Sequence, residues 1–292
     1  MTRLRQKKLF WKRFVKATTS NLKPIMIKFM YYISFLFPAL TARKALLIFL
    51  KPKKYQRPAA EEVWYASARK RKLISGLAIN EWGVEGNPKV LLIHGWGGRG
   101  SQMGAFAEPL LVAGYHVIAL DGPAHGESPG EETNAGVFSR ALLSAQQELG
   151  EVRACIGHSF GGGCAILSAS LGMKVHKLIT ICSPSDYAKV VQNFLDFVKL
   201  SPWSQKVFYQ ILTVKAQMKL EDIHIAGLGK NLNTPVLIIH DKHDKEVRYQ
   251  NALNLHQAWP SSELMTTEGL GHRRILKDKL VIDRVIEFIN KK

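Results

Sequence analysis

The residue types needed for acyl transfer, a serine, an acid and a histidine, each follow an apolar run in this 292-residue chain. Ser159 is the centre of Gly157-His158-Ser159-Phe160-Gly161, between a short apolar run and a segment of small residues. Glycines two positions to either side remove the Cβ atoms that would clash in a sharp strand-to-helix turn. The pattern predicts a serine at the apex of such a turn, although G-x-S-x-G alone is a weak signal.

A serine hydroxyl becomes a nucleophile when a base takes its proton and a third group orients that base. Asp244 lies in the loop after a later apolar run, and His272 lies in a glycine-bearing loop after the next one. The spacing favours Ser159 as nucleophile, His272 as general base and Asp244 as the orienting acid. Asp241 and Glu246, in the same loop as Asp244, remain alternatives for the acid.

The elements that must position these loops are short apolar runs separated by longer helical segments. The runs cover residues 90–93, 117–120, 154–156, 178–181, 236–239 and 263–267. This alternation is typical of a parallel sheet covered by helices on both faces, so the fold class is α/β, doubly wound. Upstream, residues 59–72 predict a polar connector or short helix, and residues 76–82 predict part of an edge hairpin.

The ordered series Ser159, Asp244 and His272, with His94-Gly95-Trp96-Gly97-Gly98 before it, resembles the α/β-hydrolase superfamily from about residue 90 to 288. In that family the nucleophile follows strand five, the acid strand seven and the histidine strand eight. Residues 121–128 are similar to the family's loop after strand four, with Ala124 where glycine is usual.

The resemblance implies an oxyanion hole made by the backbone N–H groups of Trp96 and Phe160. It also implies a carboxylic ester hydrolase that cleaves an ester or thioester through an acyl-enzyme on Ser159. Perhydrolases, carbon–carbon hydrolases and peptidases use the same constellation. A hydrolase-like binding protein that is catalytically idle and associated with a membrane is the alternative from another class.

Several other histidines near the motifs are interpreted without a catalytic role. Three are predicted to brace the loops around the site: His94, His125 and His158. The segment His240-Asp241-Lys242-His243-Asp244 has ligand types suited to a metal, but neighbours in a strand-to-loop segment point in divergent directions. We therefore expect neither a metal nor an organic cofactor.

Positive charge is concentrated at the N-terminus of the chain. Residues 1–60 contain 15 Lys or Arg and no Asp or Glu, whereas the remaining 232 residues contain 26 bases and 23 acids. The apolar stretch at 29–42 is shorter than the roughly 20 residues of a spanning helix. A helix lying on an anionic membrane surface through residues 1–57 suits this pattern, and plain packing on the body is the alternative. Nucleic acid is disfavoured by the apolar load.

These features divide the chain into an N-terminal extension, residues 1–58, and a hydrolase domain, residues 59–292. An insertion at about 185–233 is predicted to be a helical lid over the site, or else an ordinary packing layer. Three interior cysteines, Cys155, Cys164 and Cys182, predict buried thiols and a reducing compartment. We expect a cytoplasmic protein, peripheral at the membrane, that acts on lipid-like or other acyl substrates.

Overall fold

The computed structural model describes residues 24–291. Within this range the strands are β1 Arg69–Lys72, β2 Ala78–Trp82, β3 Lys89–Ile93, β4 His116–Leu120, β5 Val152–His158, β6 Val175–Ile181, β7 Val236–Asp241 and β8 Glu263–Thr267. They form one sheet in the order β1-β2-β4-β3-β5-β6-β7-β8. Strands β3 to β8 are parallel, and β1 and β2 are antiparallel to their neighbours. The doubly wound α/β prediction is confirmed.

Helices cover both faces of this sheet. In the described part of the chain they are α1 Pro24–Leu36, α2 Pro38–Leu50, α3 Ala59–Ser67, α4 Ala107–Val112, α5 Ala135–Leu149, α6 Phe160–Ser170, α7 Tyr187–Val198, α8 Pro202–Ala216, α9 Ile225–Gly229, α10 Gln250–Ala258, α11 Gly271–Arg274 and α12 Lys279–Asn290. Helices α5, α6, α9 and α10 bury side chains against one face, while α4 and α12 pack on the other. Because both faces are covered, the central strands are continuous apolar runs rather than alternating ones.

Strand β1 corrects the expectation that residues 59–72 form only a connector or short helix. The first part is helix α3, but Arg69-Lys70-Arg71-Lys72 pairs with β2 as the edge strand of the sheet. Arg69 and Arg71 both form ion pairs with the buried carboxylate of Glu81 on β2. A row of exposed bases protects a sheet edge from further pairing, so this charged run is compatible with a strand.

The extension packs on the insertion through its second helix. Ala42, Leu46 and Leu50 of α2 are buried in one apolar cluster with Phe194 of α7 and Phe208 of α8. Helix α1 contacts the same region through Ser34, which is hydrogen-bonded to Ser201 in the turn between α7 and α8 and to Ser204 at the start of α8. Predictions that fall on residues 1–23 lie outside the described residues. Within the described ones, every helix is too short or too polar to cross a bilayer.

Candidate active site

The serine of the glycine-rich motif lies between β5 and α6. Ser159 has φ 53° and ψ −123°, a conformation that a non-glycine residue adopts only when its surroundings impose it. A Cβ on Gly157 would lie 2.5 Å from the Cα of Gly162, and one on Gly161 would lie 2.3 Å from the backbone oxygen of His94. Both positions therefore require glycine, and the strained turn lifts the Ser159 hydroxyl out of the sheet.

The structure brings the three predicted residues together from three loops that are distant in sequence. The Oγ of Ser159 is 3.0 Å from Nε2 of His272, and Nδ1 of His272 is 2.7 Å from Oδ2 of Asp244. Ser159 follows β5, Asp244 follows β7 and His272 follows β8. Because these strands are parallel, their carboxyl ends share one edge of the sheet, where ligands bind in open α/β folds.

The carboxylate of Asp244 is fully engaged by donors. Its Oδ1 accepts hydrogen bonds from the backbone N–H groups of Glu246 and Val247, at 2.7 and 2.9 Å. Its Oδ2 faces Nδ1 of His272 and lies 3.5 Å from Nε2 of His240. Burial alone would raise the pKa of Asp244, but the hydrogen bonds from His240 and His272 outweigh it and hold that pKa far below its usual range. Asp244 is therefore ionised beside His272.

The two alternative acids occupy other places in the same loops. Asp241 accepts hydrogen bonds from the Thr267 hydroxyl and from the backbone N–H of Leu270 at 2.8 and 2.9 Å, and so fastens the loop that carries His272. Glu246 approaches the other nitrogen, with its Oε2 3.9 Å from Nε2 of His272. Of the three carboxylates, Asp244 is the one placed to orient the imidazole through Nδ1.

Two buried histidines hold the loop after β3, which includes Trp96. His94 donates from Nδ1 to the oxygen of Gly95 and accepts at Nε2 from the N–H of Gly122. His125 accepts at Nε2 from the N–H of Gly97, at 2.9 Å. Burial lowers the pKa of His94 to about 4 and that of His125 to about 3. Both are therefore neutral at pH 7, as acceptance from these N–H groups requires.

His158 supports the segment that carries His272. Its Nε2 donates a hydrogen bond to the backbone oxygen of His272, at 2.9 Å. Burial lowers the pKa of His158 well below its ordinary value, and the neighbouring His272 lowers it further. This neutral side chain, beside Ser159 in sequence, therefore ties the loop after β8 to the serine's turn.

The two candidate oxyanion donors come from adjoining segments. Phe160 is the first residue of α6, a position where the backbone N–H has no partner within the helix. The rings of Trp96 and Phe160 pack edge to face with centroids 5.1 Å apart. Tyr187 of the insertion donates its hydroxyl to the backbone oxygen of Phe160, a contact that the sequence does not reveal because the two residues lie on different elements.

Ser159 and His272 open into a cavity of about 1020 Å³. The insertion contributes to its wall through side chains such as Tyr187, Val190 and Leu212. The aromatic residues Phe194 and Phe208, in contrast, are buried against α2. The insertion therefore both lines the cavity and serves as a packing layer.

Among the described residues, one potential ligand atom from each of Cys182, Asp244 and His272 lies within 4.8 Å of the other two, a distance that would allow a metal ion. Burial raises the pKa of the Cys182 thiol well above its ordinary value, which disfavours the thiolate that a metal needs. Asp244 and His272 are already hydrogen-bonded to each other. The donor set fits a hydrogen-bonded acid and histidine better than a metal site.

Comparison with known proteins agrees with this architecture. A model of the alpha/beta hydrolase fold matches residues 88–217, and a model of TAP-like proteins matches residues 210–291. The chain belongs to the α/β-hydrolase superfamily. The extension, residues 1–58, precedes both matched segments of this superfamily member.

Individual similar proteins support the fold. The dihydrolipoyllysine-residue acetyltransferase component of the acetoin cleaving system of Pseudomonas putida is 30% identical over 193 residues, which are 61% of this chain and 52% of that protein. The chain thus matches about half of that relative's length. A putative lipase of Acinetobacter baumannii superposes with a TM-score of 0.61 at 23% identity, covering 78% of this chain and 93% of that one. The thioesterase domain from the curacin biosynthetic pathway gives a TM-score of 0.57 at 19% identity, covering 77% and 100%.

Proposed function

We propose that this α/β-hydrolase superfamily member is a serine hydrolase that cleaves a carboxylic ester or thioester through an acyl-enzyme on Ser159. The observation that carries the proposal is the continuous hydrogen-bonded series from Ser159 through His272 to the ionised Asp244, at 3.0 and 2.7 Å. The names of the similar proteins, a lipase, a thioesterase and an acetyltransferase component, all describe acyl chemistry.

In this mechanism Nε2 of His272 takes the hydroxyl proton as Ser159 attacks the carbonyl carbon. Asp244 keeps the imidazole in the tautomer that has its proton on Nδ1. The oxyanion is stabilised by the N–H groups of Trp96 and Phe160, and each such donor contributes about 3 kcal/mol. Nε2 then protonates the leaving alcohol or thiol, and a water molecule activated by the same nitrogen releases the acid and regenerates Ser159.

The test is hydrolysis of p-nitrophenyl esters of graded acyl length by the wild type and by Ser159→Ala. We expect ester hydrolysis that falls to the uncatalysed background in Ser159→Ala, while thermal unfolding of the variant stays close to the wild type. A folded wild type that hydrolyses none of the esters, nor matching acyl thioesters, would favour the idle binding protein.

We also propose that the protein associates peripherally with an anionic membrane surface through residues 1–57. Phe29, Tyr32 and Leu36 of α1 lie at i, i+3 and i+7 and are 64, 70 and 74% exposed. Trp203, at the start of α8, is 68% exposed. Exposed aromatic side chains beside a segment rich in bases and free of acids match the chemistry of a bilayer with anionic headgroups.

The membrane proposal is tested by sedimentation with phosphatidylserine-containing liposomes and with pure phosphatidylcholine liposomes. We expect the wild type to sediment with the anionic liposomes and the triple variant Phe29→Ser, Tyr32→Ser, Leu36→Ser to remain in the supernatant. A matched triple variant at exposed apolar positions elsewhere should sediment like the wild type: Val84→Ser, Val112→Ser, Leu280→Ser. Equal sedimentation of both triple variants would contradict the proposed surface.

A further inference from the structure

The lining of the cavity at Ser159 includes a set of apolar side chains and a set of charged ones, and the N-terminal extension contributes to both. Resting on the proposed hydrolase function, we propose that the site takes an anionic amphiphile, an ester or thioester with a long apolar acyl chain. The chain would lie in an apolar arm under the insertion. The anionic part would lie in a basic arm beside residues 51–58, which we call the strap.

The apolar arm consists of side chains from the extension and the insertion that pack on one another. Phe49 of α2, Val190 of α7, Leu212 of α8 and Leu220 all line the cavity and all belong to the same apolar cluster. The whole cavity, at about 1020 Å³, lies at the upper end of the roughly 300 to 1,000 Å³ of ordinary ligand pockets. An acetyl group would leave most of such an apolar surface in contact with water, so a longer chain gains more by binding.

The basic arm consists of charged lining residues contributed by several segments, and its bases come from the strap, the segment after β3 and the segment after β8. Its charged lining residues are four bases and two acids: Lys53, Arg99, Arg273, Lys277, Glu61 and Glu246. Arg99 pairs with Glu61 and Arg273 pairs with Glu246, each at 3.4 Å. Bases outnumber acids among these lining side chains, which favours an anionic group near them.

The strap is fixed to the catalytic loops rather than merely passing over them. Arg99, which is buried and follows the loop of Trp96, donates to the backbone oxygens of Tyr55 and Gln56 at 3.0 and 3.3 Å. The N–H of Thr133 donates to the oxygen of Leu50, where α2 ends. Because the strap lies before the segments that match the superfamily, this wall is a contribution of the extension.

The preference for a long apolar chain is tested by measuring the binding of decyl phosphate and butyl phosphate to the Ser159→Ala protein by calorimetry. This measurement does not depend on hydrolysis. Six additional methylenes buried at about 0.8 kcal/mol each would favour decyl phosphate strongly, and we expect at least a 30-fold lower Kd even with partial burial. Val190→Trp should remove most of that difference by filling the apolar arm. Val214→Trp, at an exposed position of α8, should retain it. Leu220→Trp replaces Val190→Trp if the latter unfolds.

The preference for an anionic group is tested by comparing the binding of decyl phosphate with that of the uncharged decyl glucoside. We expect decyl phosphate to bind at least about tenfold more tightly at low salt, and Lys277→Glu to lower that preference several-fold. Lys189→Glu, an exposed position of α7 outside the cavity lining, serves as the matched control. Equal binding of the two amphiphiles, or equal effects of the two charge reversals, would overturn the basic arm.

These outcomes separate the inference from the proposed function. Efficient Ser159-dependent hydrolysis of the p-nitrophenyl acetate ester, with equal Kd values for butyl and decyl phosphate, would refute the amphiphile inference and leave the hydrolase proposal standing. Chain-length-dependent binding with no hydrolysis of any ester or thioester would refute the hydrolase proposal and retain the two-arm site.

Discussion

Replacing Asp244 by asparagine probes the hydrogen bond that orients His272. In the wild type, Oδ1 of Asp244 accepts from two backbone N–H groups, those of Glu246 and Val247. The amide oxygen of Asn at this position must therefore occupy the Oδ1 site, because its NH₂ group there would face two donors. The NH₂ group then occupies the Oδ2 site, 2.7 Å from Nδ1 of His272.

An NH₂ group at that site donates to Nδ1 and stabilises the tautomer of His272 that has its proton on Nε2. This tautomer cannot accept the proton of Ser159, whose Oγ is 3.0 Å from Nε2. We expect kcat/KM for p-nitrophenyl butyrate to fall about 10,000-fold, which corresponds to about 5 kcal/mol of transition-state stabilisation. KM should change little, because Asp244 does not line the cavity.

Asp241→Asn is the matched control, with the same chemical change in the same loop. Asp241 accepts hydrogen bonds from the Thr267 hydroxyl and from the N–H groups of Leu270 and His243, none of which belongs to the His272 ring. We expect a loss of about tenfold or less, from a loosened loop after β8. If Asp244→Asn retained more than a tenth of wild-type kcat/KM, or if Asp241→Asn lost more activity than Asp244→Asn, the proposed control of the His272 tautomer by Asp244 would be refuted.

Acid pH should destabilise the fold through the buried His94 and His125, whose folded-state pKa values are lowered to about 4 and about 3. Below about pH 6.5 the two histidines bind protons in the unfolded chain but stay neutral in the folded chain. Their contribution to stability is therefore fully present above pH 6.5 and falls as the pH drops towards the folded-state pKa values. Between pH 7.5 and 5.0 each histidine should lower the free energy of unfolding by about 2 kcal/mol. Urea titrations at the two pH values should give a fall smaller by about 2 kcal/mol in His125→Gln, which keeps an acceptor for the N–H of Gly97; an unchanged fall would exclude His125 as a cause. Gly161→Ala places a Cβ 2.3 Å from the backbone oxygen of His94, so the turn at Ser159 must shift, and a shift of about 1 Å should lower kcat by about 100-fold in the ester assay. In the control Gly86→Ala the added Cβ meets no atom within 4 Å, and the positive φ at this position should cost about 1 kcal/mol of stability without a loss of activity. Equal activity in the two variants would show that the turn tolerates displacement.

The parallel part of the sheet could be predicted because each central strand is buried on both faces and therefore consists of an uninterrupted apolar run. Strand β1 was not predicted, because four consecutive bases resemble a solvated connector until the ion pairs of Arg69 and Arg71 with Glu81 are known. An edge strand has one unpaired side and few apolar contacts, so its residues carry little of the periodic signal on which strand prediction depends.

The order of Ser159, Asp244 and His272 in the chain was enough to predict that they would meet, since parallel strands bring their carboxyl ends to one edge. The contacts that support these three residues and the cavity wall could not be predicted from the sequence. Arg99 holds the strap, and Tyr187 holds the backbone of Phe160, through bonds between segments 27 or more residues apart. Such contacts depend on side-chain positions in the folded chain and leave no local pattern in the sequence.

The position of the N-terminal extension in the cavity wall also could not be predicted from the sequence. Its charge and its apolar helices predicted a role at a surface, and the described residues place Phe49 and the strap in the cavity wall as well. Deleting residues 1–57 would therefore disturb the cavity at Ser159 together with any membrane contact. Point substitutions on the exposed face of α1 separate the two effects.

The nucleophile is tested most directly by a fluorophosphonate probe, followed by mass spectrometry of the modified peptides. We expect one covalent adduct per chain, located on Ser159, with labelling abolished in Ser159→Ala and slowed strongly in His272→Ala. Folded wild-type protein that acquires no adduct on Ser159, or that is labelled equally after Ser159→Ala, would contradict the assignment of this serine as the nucleophile.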